Sequence, residues 1–131
     1  MEYQIKFPSQ PESIIQVETL VEEIKGKYAV SDEVFGNMLV ALTEAVNNAI
    51  VHGNKKDTSK TVALAAGKQA GVITFIIKDE GPGFDYNGLP DPTAPENLEK
   101  PTGRGVFLMK HLSDMVIFSD KGRTVELQFK V

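Results

Sequence analysis

The feature that most constrains this fold is one long segment of helical periodicity. Across residues 35–50, apolar side chains recur at three- and four-residue steps, which predicts a helix with one broad buried face. Ser31 is a suitable N-cap, and Asp32 and Glu33 suit the positive end of the helix dipole. Gly53 is a natural end for the helix. This is the longest helix predicted in the chain.

The other periodic segments surround this helix with strands. Alternating or continuously apolar patterns predict strands over residues 3–7, 60–66, 72–78, 115–118 and 124–131, and helical spacing recurs over residues 12–27 and 105–112. The order is therefore β-α-α-β-β-loop-α-β-β. It predicts an α+β two-layer sandwich, in which a mixed, mostly antiparallel sheet carries the helices on one face.

The composition indicates one soluble domain over residues 1–131. The chain is 41% hydrophobic and has no cysteine, which excludes a disulfide framework and a thiolate metal site. A net charge of −4 without a block of Lys or Arg argues against direct binding of nucleic acid or of an anionic membrane. The N-terminus does not resemble a signal peptide, and no apolar run reaches ~20 residues, so we expect a cytoplasmic protein.

Glu44 and Asn48 are the first candidate site residues. They stand four apart on the long helix, so they share a face about one turn from each other and can touch the same ligand. Their stripe differs from the apolar one, which lets the pair border a cleft. A solvated Glu/Asn edge is the alternative for an isolated pair.

A second motif, Asp79-Glu80-Gly81-Pro82-Gly83, follows the most apolar strand. The glycines at 81 and 83 free the backbone to approach another group closely. Asp79, at the strand end, can accept a hydrogen bond from a donor such as an exocyclic amine. A polar turn without a ligand is the alternative.

A third motif, Gly103-Arg104-Gly105, opens the helix after a segment rich in proline between residues 87 and 102. Amides at a helix N-terminus favour anions, glycine lets phosphate oxygens come near them, and Arg104 can add a charge-assisted contact. A flexible hinge beside an exposed arginine is the alternative.

The three motifs together resemble the GHKL (Bergerat-fold) ATP-binding superfamily, and specifically its small bacterial anti-sigma-factor serine/threonine kinase branch. Residues 42–53 resemble the N box of that branch, residues 79–85 its first glycine box, and residues 103–109 its second. Residues 90–98 resemble its ATP lid, which we place at about 85–103. The resemblance spans nearly the whole chain and implies a Bergerat ATPase fold.

The resemblance also implies roles for individual residues. Asn48 would ligate a Mg²⁺ ion that bridges the phosphates of ATP, Asp79 would bond the adenine amine, and Glu44 would be the general base. Thr124 would support Asp79 or the base. Further nucleotide contacts would come from Gly81, Gly83, Gly103, Arg104, Gly105, Val106 and Phe107. Mg²⁺ prefers oxygen ligands and keeps waters, so one Asn oxygen plus phosphates can suffice.

The function implied is a kinase that phosphorylates an antagonist protein on Ser or Thr with Mg-ATP and that also binds a sigma factor, with a homodimer suggested by family analogy. Glu44 separates this hypothesis from an alternative, a nucleotide-dependent regulator-binding module without appreciable kinase activity. A third hypothesis is a detached ATPase domain that acts with a histidine-phosphotransfer partner. His52 and His111 are read as packed or capping residues.

Overall fold

The computed structural model describes residues 1–84 and 104–131. The strands are β1 Tyr3–Pro8, β2 Thr61–Gln69, β3 Val72–Lys78, β4 Met115–Ser119 and β5 Thr124–Lys130. The helices are α1 Ile14–Tyr28, α2 Asp32–Asn48 and α3 Arg104–Leu112. The predicted order of elements is confirmed. The expected ATP lid at 85–103, with Gly103, lies outside the described residues.

The five strands form one sheet in the order β1-β2-β3-β5-β4, so the apolar strand β3 is central, as its sequence predicts. Each neighbouring pair among the described strands is antiparallel. The sheet among the described strands is antiparallel throughout, where the sequence predicted a mixed, mostly antiparallel sheet. The α+β class is confirmed.

Both hairpins are tighter than their sequences suggested. We expected a five-residue loop between β2 and β3, but Gln69 pairs with Val72 and leaves a two-residue turn, Ala70 and Gly71, in which both residues have positive φ. In the second hairpin Ser119 pairs with Thr124, and a 3₁₀ turn, Asp120–Gly122, joins the strands. Ladder pairing carries β2 and β4 further into the hairpins than predicted, because it satisfies backbone groups that a longer loop would leave to water.

One face of the sheet is buried under the helices. Alternate residues of the strands enter the core, while the residues between them are at least partly exposed. The ring pair Phe75 and Phe129 meets edge to face at 5.9 Å, and α2 covers the same core with its apolar stripe. The fully buried side chains include Phe7, Ile24, Met38, Leu42, Leu64, Ile73, Ile77 and Leu127.

The core helix α2 begins as predicted, because the Ser31 hydroxyl accepts a hydrogen bond from the Val34 N–H at 3.3 Å. It does not end at Asn48 but continues through a π-helical turn, Ala49–Gly53. By length and composition alone the whole stretch Asp32–Gly53 could span a membrane, contrary to our expectation. Its apolar stripe is nevertheless packed against the sheet and the other helices, as in a core helix.

Candidate functional site

Residues from each of the three motifs line a cavity of about 440 Å³ between α2, α3 and the sheet. The lining residues from α2 and its π-helical turn are Ala45, Asn48, Ala49, His52 and Gly53, and those from α3 are Gly105, Val106 and Met109. The strands and their connections add Ile77, Asp79, Gly83, Phe84, Phe118, Gly122, Arg123 and Val125. A small molecule of nucleotide size fits such a volume.

The cavity walls near the sheet are apolar. Ile77, Met109 and Val125 are buried core residues that also line the cavity. The rings of Phe84 and Phe118 meet edge to face, with centroids 5.6 Å apart. Walls of this kind suit a flat aromatic ligand, whose ring gains from leaving water and from contacts with other rings.

Asp79 is the acidic group of this apolar region. It follows β3 directly, is half-buried, and its carboxylate accepts a hydrogen bond from the Gly81 N–H at 2.8 Å. Burial raises the pKa of the Asp79 carboxyl above its usual value, while the Gly81 N–H and the charge of Arg123 oppose that rise. The carboxylate keeps further acceptor capacity for a donor on a ligand.

Gly81 has to be glycine because the motif packs against the protein's own backbone. A Cβ at Gly81 would lie 2.1 Å from the carbonyl oxygen of Gly53, at the end of α2. The close approach that the sequence predicted for this glycine is therefore made to Gly53, and Gly83, which follows, lines the cavity. The end of the core helix and the turn after β3 form one unit.

Glu44 and Asn48 lie together beside the start of α3. Both side chains are half-buried, and a Cβ at Gly105 would lie 3.0 Å from Glu44 Oε2 and 3.4 Å from Asn48 Nδ2 and Oδ1. Asn48 lies on the cavity wall, as its spacing suggested, whereas Glu44 lies beside it and is not among the lining residues. Glycine at 105 lets the start of α3 approach these two side chains closely.

The remaining predicted residues are divided between the cavity and the surface. Val106 is buried and lines the cavity, whereas the Phe107 ring stacks on His111, 5.8 Å between centroids, away from the lining. Arg104 is exposed at the first turn of α3.

Thr124 is not a lining residue, because its neighbour Val125 faces the cavity and strand side chains alternate. The exposed His52 lines the cavity.

Sequence reasoning missed two polar residues that hold the turn after β3. Arg123 lines the cavity, and its Nε donates to the Gly81 carbonyl at 2.7 Å while its Nη1 donates to Asp120 at 3.1 Å. Asn54 is buried beneath the same turn. Arg123 stands next to the threonine that the resemblance selected, so only the strand register could have identified it. No local signal marks Asn54.

A family model described as a histidine kinase-like ATPase domain matches residues 7–129. Among curated proteins, the chain is 25% identical over 129 residues to serine-protein kinase RsbW of Bacillus cereus (strain AH820). The same identity holds for serine-protein kinase RsbW of Bacillus anthracis (strain A0248). Each match covers 93% of this chain and 80% of the relative.

Two solved structures share the fold. The RsbU and RsbW domains of Rv1364c from Mycobacterium tuberculosis superpose with a TM-score of 0.67 at 16% identity, over 98% of this chain and 31% of that chain. The histidine kinase domain from the Erythrobacter litoralis EL346 blue-light activated histidine kinase gives a TM-score of 0.58 at 17% identity, over 94% of this chain and 61% of that one. The chain therefore spans about a third of the first of these proteins.

Proposed function

We propose, from the premise that the chain belongs to the histidine kinase-like ATPase family, that the cavity between α2, α3 and the sheet binds ATP. The motifs and the RsbW relatives agree with the anti-sigma-factor kinase branch of the GHKL superfamily. One observation carries the proposal: a single cavity is lined by Asp79, by Asn48 and by Gly105 at the start of α3.

The nucleotide base occupies the apolar end of the cavity in this proposal. Asp79 accepts the hydrogen bond of the adenine amine, and the rings of Phe84 and Phe118 supply apolar contact. The phosphates lie toward the first turn of α3, where backbone N–H groups and the charge of Arg104 favour anions. Gly81 shapes the turn and Gly83 borders the base. The proposal keeps the nucleotide contacts that the resemblance implies for Gly103 and Phe107, and the support for Asp79 or the base that it implies for Thr124.

The residues present fit a Mg²⁺ ion. Asn48 offers an oxygen on the cavity wall, 3.4 Å from the Cβ position of Gly105. Within residues 1–84 and 104–131 no group of three or more His, Asp or Glu side chains could hold a metal, which suits an ion held also by phosphates and water. When bound, Mg²⁺ neutralises negative charge on the phosphates.

We assign Glu44 as the general base of a protein serine/threonine kinase. Its carboxylate, one helical turn from Asn48, would take the proton of a substrate hydroxyl as the hydroxyl oxygen bonds to the γ-phosphorus and ADP leaves. The substrate would be an antagonist protein, and a sigma factor would be the second partner of a cytoplasmic, homodimeric regulator. The relatives named serine-protein kinase support this assignment.

Calorimetry with ATP and Mg²⁺ tests nucleotide binding, and labelled ATP with candidate antagonist proteins tests transfer. We expect acid-stable phosphoserine or phosphothreonine, and Glu44→Gln should lower the rate by about 100-fold or more while ATP affinity changes little. Glu22→Gln, on the exposed face of α1, is the matched control and should have no effect. Full transfer by Glu44→Gln, or an acid-labile phosphohistidine, would refute the kinase assignment.

A nucleotide-dependent binding module is the second candidate, because Asn48 lines the cavity while Glu44 is not among its lining residues. In that case a regulator would bind in the presence of ATP and be released in its absence, with no phosphate transferred. The two candidates share the nucleotide site, so only the transfer assay separates them.

A further inference from the structure

We propose that Asn54 is a positioning residue for base recognition, since its buried amide fixes the turn that carries Asp79. The inference rests on the proposed ATP site. Asn54 lies outside the cavity lining, and its proposed role is to help the site distinguish one nucleotide base from another.

The Asn54 side chain joins three parts of the chain beneath the cavity. It is 1% exposed. Its Nδ2 donates to the Ser9 hydroxyl at 2.8 Å and to the Thr61 carbonyl at 3.0 Å, and its Oδ1 accepts from the Glu80 N–H at 2.7 Å. The amide thereby connects the segment after β1, the first residue of β2 and the turn after β3.

The chemistry of these contacts requires an amide. One side of the group must donate twice and the other must accept, and asparagine carries both functions in a side chain of this length. The opposite orientation would place the NH₂ group against the Glu80 N–H, so the network determines the orientation. In a buried position each of these bonds matters, because a lost partner leaves a polar group without water.

The bond to Glu80 acts on Asp79 through the backbone. The Glu80 nitrogen belongs to the peptide that follows Asp79, and the Asp79 N–H donates to the Arg123 carbonyl at 3.0 Å. The Arg123 Nε holds Gly81 from the other side at 2.7 Å. Asn54 thus supplies the helix-side support of a turn that Arg123, just before β5, supports from the opposite side, and the Asp79 carboxylate is held in one place.

A fixed carboxylate discriminates between bases. Adenine presents an exocyclic amine, which donates to Asp79, whereas guanine presents a carbonyl oxygen at the equivalent atom, which a carboxylate repels. If the turn relaxes, the carboxylate can move away from that oxygen. Loss of Asn54 should therefore weaken the binding of ATP more than the binding of GTP, which narrows the ratio between their dissociation constants.

Three variants separate positioning from stability. Asn54→Ala removes the oxygen that holds Glu80, and we expect ATP to bind about 5- to 10-fold more weakly, the effect of one hydrogen bond. Asn54→Asp keeps an acceptor oxygen for the Glu80 N–H but loses the two donors, so it should be destabilised while keeping the ATP/GTP ratio. Ser9→Ala removes a partner of the amide nitrogen and the bond from the Ser9 hydroxyl to the Lys60 carbonyl, but leaves the Glu80 bond intact. It should lower the unfolding midpoint without changing that ratio.

The experiment compares ATP and GTP dissociation constants with thermal midpoints for the wild type and these variants. Where the wild type binds ATP, two results would overturn the proposal. One is a folded Asn54→Ala protein in which the ratio of the ATP and GTP dissociation constants is unchanged. The other is a Ser9→Ala protein in which that ratio narrows as much as in Asn54→Ala. A wild type that binds no ATP would instead refute the nucleotide site itself.

A measurement on the wild type covers the case in which the Asn54 variants do not fold. The Glu80 amide should exchange slowly with solvent before nucleotide is added, and ATP should slow it little further. Rapid exchange that ATP suppresses strongly would mean that the nucleotide, and not Asn54, orders the turn.

Discussion

The two ends of the cavity are built by different means. Around Asp79, the turn is held on one side by a hydrogen bond that Asn54 accepts, and on the other by hydrogen bonds that Arg123 accepts and donates. Around Glu44 and Asn48, the defining feature is steric, because the start of α3 approaches these side chains where a glycine stands. Hydrogen bonds define the end around Asp79, and the lack of a side chain at Gly105 defines the end around Glu44 and Asn48. Substitutions at each end should therefore affect different parts of the nucleotide.

The largest effect is expected at the hydrogen-bonded end. Asp79→Ala removes the charged acceptor for the base, and we expect ATP to bind roughly 100-fold more weakly, within the range for a hydrogen bond to a charged group. Adenosine, which has no phosphates, should lose affinity by the same factor. Calorimetry or competition with a fluorescent nucleotide measures both ligands.

The matched control for this variant is Asp32→Asn, which changes an exposed carboxylate in a surface ion pair with Lys25. Its ATP affinity should equal that of the wild type. An Asp79→Ala protein that binds adenosine normally and loses only ATP would place the base elsewhere, and the comparison between the two ends would fail.

A smaller effect is expected at the steric end. Gly105→Ala places a methyl group about 3.0 Å from Glu44 Oε2, and we expect about 10-fold weaker ATP binding, at the low end of the ~1–3 kcal/mol for overfilled sites. Adenosine affinity should stay unchanged. Because alanine favours a helix over glycine, α3 itself should not be destabilised.

Gly36→Ala is the control for Gly105→Ala. Gly36 lies within α2, and within the described residues no atom outside its own helical turn comes within 4 Å of its Cβ position. The substitution should raise the free energy of unfolding by roughly 0.5–1 kcal/mol and leave ATP binding unchanged. Equal ATP affinities in the two variants would show that the close approach of α3 to Glu44 and Asn48 does not affect phosphate binding.

Much of the fold could be predicted because local patterns and tertiary packing agree. Ser31 caps α2 as its position indicated, and β3 is central as its apolar run indicated. The strand ends were less predictable. The two-residue turn at Ala70 and Gly71 depends on which residues pair across the hairpin, and pairing is a property of two segments together.

The site was predictable where a motif carries its own chemistry and not where a residue acts through the backbone. Asn48, Asp79 and Gly105 were found from spacing, and the structure brings them to one cavity. Arg123 and Asn54 were missed because they hold the turn from distant parts of the chain. Thr124 was selected by its resemblance to a motif, but the register of β5 turns the neighbouring Val125 toward the cavity.

The smallest effect concerns the protonation of Asp79 and has opposite signs for folding and for binding. Its pKa is raised in the folded protein, chiefly by burial. The folded state therefore binds a proton more readily than the unfolded chain, and stability falls as pH rises from the unfolded pKa through the folded one, then levels off. Base binding needs the ionised carboxylate, so adenosine affinity should fall as pH decreases through the folded pKa.

Asp79→Asn isolates both trends, because an amide does not titrate. On acidification, the free energy of unfolding of the wild type should rise relative to that of the variant. Over the same pH range, the adenosine affinity of the wild type should fall relative to that of the variant. Both changes should be small, since the carboxylate is about half exposed and water screens its charge. Urea titrations and adenosine titrations across the acidic range measure them. If the relative stability and the relative adenosine affinity changed in the same direction, base binding would not depend on the ionisation of Asp79. Another group at the hydrogen-bonded end would then have to accept the hydrogen bond from the base.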